Sequence, residues 1–230
     1  MNPNVPHFIS YMFVLITAAT VYMVYYGVRL TDKKIAGKVL LIIIAWLILT
    51  GILSASGFYL EVEKQPIRFF LAAPAIVLTI IILFIIPSTR KFLKGLSLEV
   101  FTYLSAIRIP VEITLWWLYL YNQIPVEMTF EGRNFDILAG ITAPIIAYFV
   151  FTKKKWSTNI AYTWNIVSLL LLVNIIAHAF LSLPTPFQQL AFENPNWGIL
   201  YFPYLWLASF VAPVVLFTHL VSIYQLRKGS

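Results

Sequence analysis

Apolar runs of about 20 residues, the length an α-helix needs to cross a hydrocarbon core, recur seven times along the chain. They cover 6–30, 35–60, 67–86, 99–121, 134–152, 157–183 and 197–226. The stretch from Phe69 to Ile86 holds no charge, whereas the run 99–121 carries Arg108 and Glu112 inside it. Short polar loops separate the runs and leave no room for a separate soluble domain. The pattern predicts an all-α polytopic membrane protein, with residues 1–230 forming one transmembrane domain, a seven-transmembrane-helix bundle.

The placement of lysine and arginine orients these spans. Alternate loops and the tail carry Arg29, Lys33, Lys34, Lys38, Arg90, Lys91, Lys94, Lys153, Lys154, Lys155, Arg227 and Lys228. The opposite loops carry only Lys64, Arg68 and Arg133 among several glutamates. Basic residues concentrate in cytoplasmic loops, so the expected topology has the N-terminus outside and the C-terminus in the cytoplasm. No basic segment precedes the first run, so that run is expected to stay as a helix instead of being cleaved as a signal peptide. The expected location is the plasma (cytoplasmic or inner) membrane.

Composition agrees: 60% of residues are hydrophobic and 11% charged, too little charge to coat a soluble globule. Cysteine is absent, which excludes a disulfide scaffold. The net charge of +7 would suggest nucleic acid in a soluble protein; here it is a topology signal facing anionic lipid. Tryptophan and tyrosine cluster at the span ends, as in interfacial belts. Expected partners are the lipid bilayer and a small polar or lipid ligand, with no nucleic acid; no cofactor is predicted.

Charges inside a span cost about 2.5–3.5 kcal/mol each on insertion scales and mark functional candidates. Arg108 and Glu112 are four residues apart and share a helix face. At 1.5 Å per residue, Arg108 lies roughly 12–14 Å from the inner end of its helix, at a depth similar to Asn165 and His219. These three form an expected inner polar layer. An outer layer comprises Asn174 and His178, together with Glu131, Arg133, Asn134 and Asp136 at the start of the fifth span. In that segment Asn134 is a plausible helix N-cap and Asp136 a first-turn acid suited to the helix dipole. Thr185-Pro186-Phe187-Gln188 reads as a capping box with proline at the first helical position, predicting a short interfacial helix through Glu193.

Several chemistries fail on residues. Retinal binding needs an intramembrane lysine, and every lysine here lies in a loop or at a span end. The proline-glutamine pairs of the seven-helix sugar transporters are missing. Zinc needs three or four ligands; three histidines and no cysteine leave only His7, His178 and Asp136, helped by Glu131, as metal candidates, and no metal is predicted. Ser54-Ala55-Ser56-Gly57 resembles the G-x-S-G of rhomboid proteases, and Ala177-His178 resembles their A-H. That resemblance would make Ser56 and His178 a catalytic pair at the outer face. It covers a handful of residues, Ser54 stands where the first glycine belongs, and no small-residue repeat follows His178.

Two function classes follow. One is a transporter, channel or small-ligand-binding protein, with an outward-facing polar vestibule (Glu131, Arg133, Asn134, Asp136, Asn174, His178) leading to the Arg108–Glu112 pair and the inner groups Asn165 and His219. The other is a membrane-embedded, hydrolase-like enzyme acting on a lipid or lipid-linked substrate. A structural subunit of a membrane complex is a third alternative.

Overall fold

The computed structural model describes residues 4–227, so Lys228 of the basic tail lies outside the described residues. The protein is all-α, 76% helical, with no strand among the described residues. Among the described residues, five helical stretches are long and apolar enough to cross a membrane: α1 (His7–Thr31), α2 (Lys33–Ala55), Ile67–Ile85, α9 (Thr158–Leu181) and Leu207–Leu226. Their outer faces carry exposed leucine and isoleucine, such as Leu41, Ile42, Ile52, Leu78 and Leu170. That distribution costs free energy in water and none in hydrocarbon.

Local chemistry shifts several expected boundaries. The second helix stops at Ala55, not residue 60, because Gly57 adopts φ 79° and a 3₁₀ turn, Phe58–Glu61, follows; a left-handed glycine just past the last turn is the common helix stop. The third run divides into α3 (Ile67–Phe70) and α4 (Ala73–Ile85). Pro74 sits in the first turn of α4, where its missing N–H would otherwise break a continuing ladder. A short α5 (Arg90–Gly95) occupies the next loop.

The charged run comprises α6 (Leu98–Leu104), a 3₁₀ turn at Ser105–Ile107, and α7 (Arg108–Leu120). Ser97 caps its start by accepting from the Val100 N–H at 3.3 Å. Pro110 supplies no donor to the preceding turn, and the tightened segment lies immediately before Arg108. The fifth run is α8 (Asp136–Ile146) continued by a π-helical turn, Ala147–Thr152. The last begins with a π-helical turn, Leu207–Val211, and continues as α10 (Ala212–Leu226). Residues 201–204, expected to be helix, form an irregular approach in which buried Tyr204 bonds Ser10 at 2.9 Å.

The interfacial helix expected after Pro186 is not formed. Thr185 Oγ1 does accept from the Phe187 N–H, but the Gln188 amide then donates to the carbonyls of Leu190 and Ala191. The N–H groups of Gln189 and Leu190 return to the Leu181 carbonyl. Side-chain and backbone bonds to the end of α9 outcompete a new helix here.

The connection between α7 and α8 folds inward. Ile124, Met128, Thr129 and Asn134 are all fully buried, and the segment bonds itself through Thr129 N–H to Val126 O, Gly132 N–H to Thr129 O and Asn134 N–H to Thr129 O. A Cβ on Gly132 would lie 2.1 Å from the Val126 carbonyl oxygen. Gly132→Ala is therefore expected to destabilise by at least about 1–3 kcal/mol, the usual range for overpacking. Gly37, with nothing within 4 Å of its added Cβ, should tolerate alanine and gain a few tenths of a kcal/mol or more of helix propensity. Thermal unfolding of both variants in detergent checks the contrast.

Candidate buried charge cluster

Arg108 enters the bundle on the first residue of α7 and is 2% exposed. Its Nη1 lies 3.0 Å from Asp136 Oδ1 of α8 and donates to the Ser168 carbonyl of α9 at 3.3 Å. Its Nη2 lies 2.7 Å from His219 Nε2 of α10. Arginine has donors only, so Nε2 accepts and the His219 proton sits on Nδ1. That N–H donates to Asn165 Oδ1 at 2.8 Å, and Asn165 Nδ2 donates to Ala161 O at 2.8 Å. The inner polar groups thus form one directional chain with a neutral imidazole at its centre.

Glu112 is also buried, one turn along α7, but it does not pair with Arg108 as the sequence spacing implied. Its Oε2 accepts from Asn134 Nδ2 at 2.5 Å, and the same amide donates to Met128 O. Asn134 Oδ1 accepts the Asp136 N–H at 3.0 Å. Asn134 therefore caps the start of α8 from one residue before the formal cap, Phe135, and it fixes Glu112 and Asp136 together.

One assignment differs from the expected inner and outer layers: Asp136, expected in the outer group, meets Arg108 because the connection before α8 folds into the bundle. Close packing makes the pair possible: a Cβ on Gly140 would lie 3.0 Å from the Ile109 backbone nitrogen and 3.1 Å from Arg108 Cβ. A larger residue would push α8 away from the guanidinium.

The remaining expected vestibule residues lie elsewhere. Glu131 and Arg133 are exposed; Glu131 accepts from Trp116 Nε1 at 2.9 Å, and Arg133 contributes its backbone carbonyl to Asn174 Nδ2 at 2.8 Å. His178 bonds the Asn174 carbonyl through Nδ1, and Ser56 donates to Leu53 O. Each turns back onto its own helix, and no hydrogen bond joins the two. Ser54 Oγ, the other serine of that segment, donates to Leu200 O at 2.9 Å and ties α2 to the last connection. His7 lies beside Tyr11, the rings tilted with centroids 6.4 Å apart. Among the described residues, no three His, Asp or Glu side chains gather as a metal ion requires.

Beside the cluster lies a cavity of about 300 Å³. Arg108, Glu112 and Asp136 form one part of its wall, and Leu115, Leu172, Ile175, Phe180 and Val215 are among the apolar side chains forming the rest. Glu131, Arg133, Asn174 and His178 are not on the wall, so the cavity is an apolar chamber with a charged patch and not a polar path. The π-helical turn Leu207–Val211 contributes Leu207, Ala208 and Val211; such turns recur at functional sites. Asn196 also lines the cavity, fully buried, with Nδ2 on the Ala179 carbonyl at 3.1 Å and Oδ1 unpartnered. Asn194-Pro195-Asn196 reads in sequence as an ordinary turn, and nothing in it signalled a buried amide.

Removing one member of a buried pair leaves an uncompensated charge and costs about 3–5 kcal/mol. Arg108→Met and Asp136→Leu should each lower the melting temperature strongly. The double variant is expected to lose less than the sum of the two, with a coupling of about 0.5–3 kcal/mol. A double-mutant cycle by thermal unfolding in detergent measures this coupling; strict additivity would show that the pair contributes nothing.

No curated protein and no solved structure matches the chain. Residues 65–227 match the model of a domain of unknown function, DUF8737. The match takes in α3 to α10 and every member of the buried cluster. Because it spans well over half of the sequence, the chain belongs to the DUF8737 family.

Proposed function

We propose that the chain is a seven-span integral membrane protein of the plasma membrane that binds a small amphiphilic molecule in the cavity beside Arg108. The five apolar stretches are joined in this reading by two more spans. Residues 98–120, about 34 Å long at 1.5 Å per residue, are interrupted only by their 3₁₀ turn and buried charges. Asp136–Thr152, about 25 Å long, is short because the preceding connection covers part of the depth. The N-terminus lies outside and the basic loops face the cytoplasm, following the lysine and arginine asymmetry.

The observation that carries the ligand reading is the cavity. Its volume reaches the range of small-molecule sites, roughly 300–1,000 Å³, which are mostly apolar with a few convergent polar groups. Apolar walls favour a hydrocarbon body, and the Arg108–Asp136–Glu112 patch favours a polar head. The solute is therefore amphiphilic, and the protein serves as its membrane receptor or carrier.

Two measurements test this. Because the chain has no cysteine, Arg133→Cys and Lys154→Cys provide clean topology reporters at exposed positions. An impermeant maleimide on intact cells should label the first and reach the second only after permeabilisation; the reverse pattern inverts the orientation. Ala208→Leu should fill part of the cavity, raise the melting temperature of lipid-stripped protein, and reduce co-purifying amphiphile seen by native mass spectrometry. An unchanged ligand profile counts against the cavity as the site.

A further inference from the structure

The cavity opens through the side of the bundle. Pro74, in the first turn of α4, and Ile176 of α9 both lie on its wall and are both exposed at the protein surface. The helices α4 and α9 each pack on the last span and not extensively on each other. A slot therefore separates them, and α10 supplies Ala212, Val215 and Leu216 to the wall behind it. Almost all of the surface that the cavity offers to an occupant is apolar, so hydrocarbon is what it accepts best.

The end of the cavity beyond α9 is closed. Phe70, the last residue of α3, meets Phe180 near the end of α9 edge to face, with ring centroids 6.0 Å apart, and both rings line the cavity. Leu183, Asn196 and Ile199 complete that end of the wall and are buried. Ile176 stands five residues before the last residue of α9, roughly 8 Å deeper at 1.5 Å per residue, which is inside the hydrocarbon of a bilayer about 30 Å thick. Exposed Leu78 of α4 and Val173 of α9 continue the lipid-facing surface on either side of the slot. From this geometry we infer that the cavity is filled sideways from the bilayer: the hydrocarbon chain of an outer-leaflet lipid enters between α4 and α9, below the Phe70–Phe180 pair. The inference rests on the ligand-binding reading above and adds the source of the ligand and its route.

Photolabelling tests both. The full chain is reconstituted in phosphatidylcholine vesicles containing a trace of phosphatidylcholine with a diazirine in one acyl chain. A parallel sample receives a short-chain diazirine alkanol instead. After irradiation, labelled residues are located by tandem mass spectrometry. The lipid probe should label Leu115 and Leu172, which are buried on the cavity wall, as well as lipid-facing Leu78 and Leu170. Lipid labelling confined to the lipid-facing residues overturns the inference. If the alkanol then still labels Leu115 and Leu172, the ligand-binding reading stands; if neither probe reaches them, that reading falls as well. Val77→Trp adds bulk at a half-buried position of α4 on the cavity wall. It should lower lipid labelling of Leu115 and Leu172 about tenfold relative to Leu170, equivalent to about 1.4 kcal/mol. Ile176→Trp, at the exposed opposite lip, repeats the test should Val77→Trp not fold. Unchanged deep labelling in a folded variant, checked by its melting curve, overturns entry between α4 and α9.

Discussion

A guanidinium buried among apolar helices must find partners for its donors and charge, and the arrangement of this protein follows from how Arg108 does so. Its contacts come from α8, α9 and α10, so four helices, counting its own, converge on one side chain. Desolvating an isolated cation costs several kcal/mol; the ion pair, the imidazole acceptor and a backbone carbonyl offset that cost. His219 is itself held by Asn165, which leaves its ring little freedom to reorient. Such a network specifies a particular helix arrangement more than it adds net stability.

That constraint explains features that otherwise look unrelated. Gly140 is where α8 closes on the α7 start, because the ion pair needs the two backbones near contact. The connection before α8 is buried because Asp136 and Asn134 must be delivered to the depth of Arg108 and Glu112. On the opposite side no comparable partner is supplied, and space remains: the cavity lies where the π-helical turn of the last span faces α7 and α9. The same residues therefore anchor the bundle and form the polar edge of its chamber.

The positions of the apolar runs were readable because hydrocarbon thickness imposes a length that few other constraints mimic. Arg108, Glu112, Asp136, Asn165 and His219 were also readable as candidates, since polar groups in apolar runs are conspicuous. Their pairing was not. Helical spacing joins Arg108 to Glu112, whereas the fold joins Arg108 to Asp136 and Glu112 to Asn134. Depth estimates assume that a loop stays at the surface, and Ile124, Met128, Thr129 and Asn134 of the connection before α8 do not. Boundaries moved where a single residue acted locally, as Gly57 does for α2 and Pro74 for α4. Asn196 escaped because a polar residue just after a proline looks like any surface turn until its burial is known.

The buried cluster also bears on how the chain is made. Arg108 precedes its histidine partner by 111 positions, and Asp136, Ser168 and His219 all follow it in sequence. During synthesis on the seven-span reading, the α6–α7 segment meets the lipid before any of these groups has emerged. Two intramembrane charges at about 2.5–3.5 kcal/mol each then weigh against its release as a free-standing helix. Its insertion is tied to the arrival of the C-terminal half, so a truncation after α7 leaves a segment that the translocation machinery holds or rejects.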